Sequence, residues 1–156
     1  SEFIGHIKRV STVEEARAYI ESVRKTYHDA RHVCSAFIIG ADRDIQRSSD
    51  DGEPAGTAGV PMMQALLARQ TREDGTTDLS DVVAVVVRYF GGIKLGAGGL
   101  VRAYTDSVVQ TLDGALFDSR ERLRVGQVPR TRVPRSPSQG GLVARGACCW
   151  GVRHHP

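Results

Sequence analysis

The sequence predicts a mixed fold in which helices pack on one sheet, in the order β-α-β-α-β-α. Three observations predict it. Short runs rich in β-branched residues, above all Val82-Val83-Ala84-Val85-Val86-Val87, alternate with segments whose apolar residues recur every three to four positions. Polar, turn-rich stretches separate the two kinds of run. The chain has 156 residues, 40% apolar and 25% charged, the size and balance of one globular domain able to bury a core.

Phe3-Ile4-Gly5-His6-Ile7-Lys8-Arg9-Val10 alternates loosely and predicts the first strand. Thr12, three residues before Glu15, fits a capping box, in which each side chain satisfies the other's free backbone donor. Val13, Ala16, Ile20 and Val23 then recur at helical spacing, predicting a helix over about 13–26. Val33-Cys34-Ser35-Ala36-Phe37-Ile38-Ile39 is the second strand, ended by Gly40-Ala41-Asp42. Residues 42–59 form a long polar loop, and long ordered loops are usually functional. Pro61 suits the first turn of a helix, and Met62, Met63, Leu66 and Leu67 give that helix an apolar stripe to about Arg69. After polar residues 71–81, the run at 82–87 reads as a strand buried on both faces. Arg88-Tyr89-Phe90 ends it, and residues 91–99 form a glycine-rich turn. Leu100, Val101, Tyr104, Val108 and Leu112 mark a last helix to about Leu116.

The character changes near residue 120. Pro129, Pro134 and Pro137 break any helix, arginine is frequent, and the pattern is neither helical nor stranded. The expected organisation is a domain over 1–119 followed by a poorly ordered Arg/Pro-rich tail over 120–156. Residues 1–119 hold 13 basic and 17 acidic side chains, a balance of −4; the tail holds eight arginines and one glutamate, +7. The isoelectric point near 9.0 therefore belongs to the tail and is no evidence of a basic face on the body. The longest apolar run is far short of the ~20 residues that cross a bilayer, and the start has no basic leader before an apolar stretch. Cys34, Cys148 and Cys149 are odd in number, with two adjacent. They suggest reduced thiols in the cytoplasm rather than a disulfide framework, with Cys34 buried in its apolar run.

Two constellations carry chemistry. Asp50, Asp51 and Glu53 lie together in the long loop. They read as a hard-cation site, as an acid–base pair, or as an acidic loop that caps the next helix or pairs with Arg88 or Arg102. The spacing is not that of a calcium-binding EF-hand loop. The second constellation is glycine: Gly56-Thr57-Ala58-Gly59 and the Gly91, Gly92, Gly96, Gly98, Gly99 cluster. Glycine lets a backbone approach a partner closely, and free N–H groups at a helix start attract anions, to which Arg88, Lys94 and Arg102 would add charge. Packing turns are the competing reading. Neither segment has the spacing of a P-loop or a dinucleotide-binding turn. Tyr89, Phe90 and Tyr104 beside these residues suit base stacking or a core. His28 and His32 are a metal pair only if one helix carries both, and Cys148-Cys149 with His154-His155 fits no zinc spacing. Neither a metal nor a cofactor is expected.

Two strings carry a resemblance: Asp50-Asp51-Gly52-Glu53-Pro54-Ala55-Gly56-Thr57-Ala58-Gly59, and Val87 through Tyr104 with its Arg88-Tyr89-Phe90-Gly91-Gly92-Ile93-Lys94-Leu95-Gly96-Ala97-Gly98-Gly99 core. With Ser1–Gly5 and Ala30–Cys34 they resemble the IMPACT/YigZ family over about residues 1–118. The resemblance implies an α+β two-layer sandwich like elongation factor G domain IV and the second domain of a small-subunit ribosomal protein. It implies a translation-associated regulatory binding module that contacts RNA, the ribosome or a translation-regulatory protein. Its binding residues would be His32, Asp50, Asp51, Glu53, Gly56, Thr57, Arg88, Tyr89, the five glycines of the second string, Lys94 and Arg102. The alternative is a hydrolase using Asp50, Asp51 and Glu53 with His32, assisted or not by a metal. Bacterial members continue into a ferredoxin-like second domain; here the Arg/Pro-rich segment stands in its place.

Overall fold

The computed structural model describes residues 1–121, 140–145 and 147–153, with side chains through residue 117. The elements are β1 (Glu2–Arg9), α1 (Val13–Thr26), β2 (His32–Ile39), β3 (Ile45–Ser49), α2 (Gly59–Ala68), β4 (Val82–Tyr89), α3 (Gly96–Asp113), β5 (Leu116–Glu121), β6 (Gly140–Arg145) and β7 (Ala147–Arg153). Five strands form one sheet in the order β3-β2-β4-β1-β7, and every neighbouring pair is antiparallel. β5 and β6 pair separately. Because β4 lies between β1 and β2, those two strands run in the same direction with a third threaded between them.

The α+β class is the one expected, but the layers number three rather than two. α1 covers one sheet face through Ala16 and Val23 against Val33, Phe37, Val83, Val85 and Val87. α2 and α3 cover the other through Met62, Leu66, Tyr104, Val108 and Leu112 against Phe3, Cys34, Ala36, Val82, Ala84 and Val86. A central strand buried on both sides must be apolar at every position, which is why β4 shows no alternation. Each valine fully withdrawn from water contributes about 1.5–3 kcal/mol before entropy is counted.

Several elements stand as read. Thr12 Oγ1 accepts from the Glu15 N–H at 3.2 Å, and Glu15 Oε2 reaches back to the Ser11 N–H at 2.8 Å, one residue before the cap. Pro61 sits in the first turn of α2. Others differ. β3 lies inside the segment read as loop; it is an exposed edge strand of polar residues, held by its ladder to β2 rather than by an apolar face. α3 begins at Gly96, so the glycine-rich stretch is a turn only as far as Leu95. Glycine disfavours a helix by about 1 kcal/mol per residue, and only packing of the later turns overrides that. β6 and β7 are strands where the sequence shows no strand pattern. The prolines that suggested irregular chain all fall at 129–137, outside the described residues, whereas Leu142-Val143 and Trp150-Gly151-Val152 supply strand-forming types. Among the described residues no helix is long and apolar enough to cross a membrane.

Candidate functional site

Strand register brings the two glycine-dense segments together. His32 of β2 and Phe3 of β1 lie directly opposite Arg88 of β4, on the face that α2 and α3 cover. The loop after β3 crosses this end of the sheet and drops Glu53 between them. Glu53 Oε1 accepts from Arg88 Nη1 at 2.6 Å and from the Tyr104 hydroxyl of α3 at 2.9 Å. Its Oε2 lies 3.7 Å from His32 Nε2. The Tyr104 hydroxyl in turn accepts from the Cys34 thiol at 3.3 Å, and that thiol also faces the Asp50 carbonyl at 3.0 Å. Burial pushes the Cys34 thiol up to about 12, so it stays a thiol at neutral pH. Burial raises the Tyr104 phenol too. This polar cluster ties the loop at 50–57 to the strand that leads into the glycine turn.

The three carboxylates of the loop go three separate ways. Asp50 turns to the start of α2, which has no side-chain cap of its own, and accepts from the N–H groups of Gly56, Ala58 and Gly59 at 2.7–3.1 Å. Burial pushes its carboxyl up, but these three donors outweigh it and hold the group below its ordinary range. Asp51 turns toward the opposite helix layer. Its Oδ2 accepts from Arg24 Nη1 at 3.0 Å and from the Val33 N–H at 2.7 Å, and its carbonyl receives His32 Nδ1 at 2.8 Å. Its carboxyl is also lowered, burial being outweighed by Arg24 and the Val33 amide. Glu53 is spent on Arg88 and Tyr104. Among the described residues no group of three His, Cys, Asp or Glu side chains is placed to hold a metal ion. Thr57 is buried with its hydroxyl on the Pro54 carbonyl at 2.6 Å, shaping the turn, and Gly56 is exposed.

For other candidates the structure decides between readings that the sequence left open. Arg88 takes the role of partner to the acidic loop rather than lying open to a phosphate: it is buried at 5% exposure as the counter-charge of Glu53. Tyr89 points to the α1 face, where its hydroxyl donates to Asp29 at 2.8 Å. Tyr104 is wholly buried. The signal for all three was strand parity or helix stripe: position 88 continues the 82, 84, 86 face, and position 89 the 83, 85, 87 face. His28 and His32 do not share a helix, since α1 ends at Thr26 and His32 opens β2. The side chains of Cys148 and Cys149, and His154 and His155 altogether, lie outside the described residues.

What remains open to solvent is the segment from Phe90 to Arg102. Gly91, Gly92, Lys94, Gly96 and Gly98 are exposed, Gly99 is half-buried, and Arg102 is exposed on the second turn of α3. Gly96 opens α3 at a φ of 71°, a left-handed conformation that a side chain strains. A Cβ at Gly92, Gly96 or Gly98 would meet nothing within 4 Å, so the backbone there is bare. Phe90 and Ile93 are half exposed beside Lys94. No acid occurs between Phe90 and Thr105.

The Impact N-terminal domain model matches residues 1–112, a span that includes both glycine-dense segments. The chain belongs to the Impact N-terminal domain family. It is 49% identical over 125 residues to IMPACT family member YvyE of Bacillus subtilis, covering 80% of this chain and 54% of that protein. It is 48% identical over 114 residues to IMPACT family member YigZ of Escherichia coli, covering 72% and 52%. A solved structure described as a hypothetical protein superposes with a TM-score of 0.64 at 46% identity, over 72% of this chain and 52% of that one. The chain thus spans about half the length of the curated relatives it matches. In this Impact domain the two glycine-dense segments are joined through Glu53.

Proposed function

We propose that this Impact domain is a regulatory binding module of cytoplasmic translation, and that it contacts RNA through the surface from Phe90 to Arg102. The observation that carries the reading is that this exposed segment has a bare backbone, carries Lys94 and Arg102 with no acid from Phe90 to Thr105, and is anchored from beneath by a buried ion pair. Lys94 and Arg102 supply charge to phosphate, and the open backbone lets a phosphate approach closely. Residues 1–119 as a whole carry a balance of −4, so the attraction is local and falls steeply with salt. The translation setting rests on the family resemblance. The engagement of each carboxylate in holding the loop supports binding over hydrolysis, because no carboxylate is left aimed at a shared open point.

Filter binding of single-stranded RNA over a salt series tests the proposal. Lys94→Ala is expected to weaken binding and reduce the slope of log affinity against log salt by about one. An unchanged slope removes Lys94 from the contact. Capture of a translation-regulatory protein with no RNA binding would replace RNA with a protein partner.

A further inference from the structure

Arg88 does more than balance Glu53. Its guanidinium carbon lies 5.6 Å from the Phe3 ring centroid and 5.7 Å from that of Phe90, so the cation is set between two rings. Phe3 is fully buried and itself packs edge-on to Tyr104 at 5.2 Å. Arg88 is fixed by Glu53 at 2.6 Å and by the Ser1 hydroxyl at 3.3 Å. Phe90 is therefore seated against a buried, ion-paired cation and still keeps 50% of its surface in solvent.

We infer that Phe90 is a preorganised stacking platform for one unpaired base of a single-stranded RNA, with Lys94 and Arg102 taking the flanking phosphates. The inference rests on the RNA reading above and assigns the contact that reading lacks. A guanidinium against one face of the ring fixes its orientation, so little side-chain entropy is lost when a base covers the other. An RNA rather than an apolar peptide is the occupant the charges favour. The ring lies against the Arg88 guanidinium, Lys94 and Arg102 are exposed farther along the same segment, and the sequence from 90 to 105 carries no acid to repel phosphate. Stacking needs a base free of its duplex partner, so the platform discriminates single strands from double-stranded RNA of the same length.

Fluorescence anisotropy with a labelled oligouridylate, its abasic ribose-phosphate counterpart and a duplex of equal length separates the claims. Wild type is expected to bind the single strand best. Phe90→Leu keeps the bulk and loses the ring, and is expected to weaken single-strand binding at least ~5-fold while leaving abasic binding unchanged. Phe90→Trp is expected to restore affinity and to show tryptophan quenching on binding. Circular dichroism and thermal unfolding matching wild type confirm that both variants fold. Equal affinity of Phe90→Leu and wild type for the oligouridylate, with Lys94→Ala still flattening the salt slope, overturns the platform and leaves the RNA reading standing. No binding of any oligomer by wild type overturns both.

Discussion

At the scale of single residues, Glu53 and Asp50 have different work, although the sequence sets them in one acidic string. Glu53 is 8% exposed and is the counter-charge of a buried arginine. Glu53→Ala leaves the Arg88 guanidinium buried and uncompensated, and is expected to lower unfolding stability in urea by about 3–5 kcal/mol. The double variant Glu53→Leu with Arg88→Met removes both charges and is expected to recover much of that loss; a double variant as unstable as the single one would show that packing, not charge, sets the cost. Asp50 acts through hydrogen bonds to the start of α2. A carboxyl lowered in the folded state stabilises the protein above its unfolded-state value and loses that contribution as pH falls through its folded-state value. Asp50 and Asp51 are both lowered, so stability is expected to fall off below about pH 4. Asp50→Asn, which retains an acceptor but no titrating group, is expected to flatten part of that acid limb. An acid profile identical to wild type would remove Asp50 from it.

At the scale of elements, the close approach of β3 to the start of α2 depends on Gly59. A Cβ there would stand 2.9 Å from the Ser49 amide nitrogen, a backbone atom that cannot yield without moving the strand. Gly59→Ala is expected to cost about 1–3 kcal/mol in thermal or urea unfolding, despite the higher helix propensity of alanine. A neutral effect would mean that β3 is free to shift. Legibility in the sequence divides along the same lines. The helix at 13–26 and the strand at 82–87 were plain, because caps, periodicity and uniform apolarity are local signals. β3 was not, because an edge strand of Ile-Gln-Arg-Ser-Ser takes its structure from a partner ladder. The start of α3 was masked by glycines that no local propensity would place in a helix. For Arg88, Tyr89 and Tyr104 the sequence left two roles each, ion pair or phosphate contact for the arginine and core or base stacking for the tyrosines. Which way each points depends on parity along β4 and on the stripe of α3.

At the scale of the whole molecule, helices on both faces of the sheet lock β4 at the centre, and everything that leaves its carboxyl end inherits that rigidity. Arg88 is the last buried residue of β4, and the exposed turn begins two residues later. The loop at 50–57 and the turn after β4 therefore form a single unit through Glu53, Arg88 and Tyr104, rather than two independent ligand sites. The sequence offered Arg88 as one of two partners for the acidic loop; that Tyr104 joins them could not be read from it. This coupling predicts that the Glu53→Leu with Arg88→Met variant, even where folded, loosens the turn. Amide hydrogen exchange over residues 90–99 is expected to quicken in that variant while β2 remains protected, and unchanged exchange would uncouple the two segments.

Amide chemical-shift mapping during titration with a short single-stranded RNA tests the central claim most directly. The account predicts perturbations concentrated from Phe90 to Arg102 and transmitted to the loop at 50–57, fading as salt is raised. Shifts confined to the α1 face, or none at any salt concentration, would contradict it.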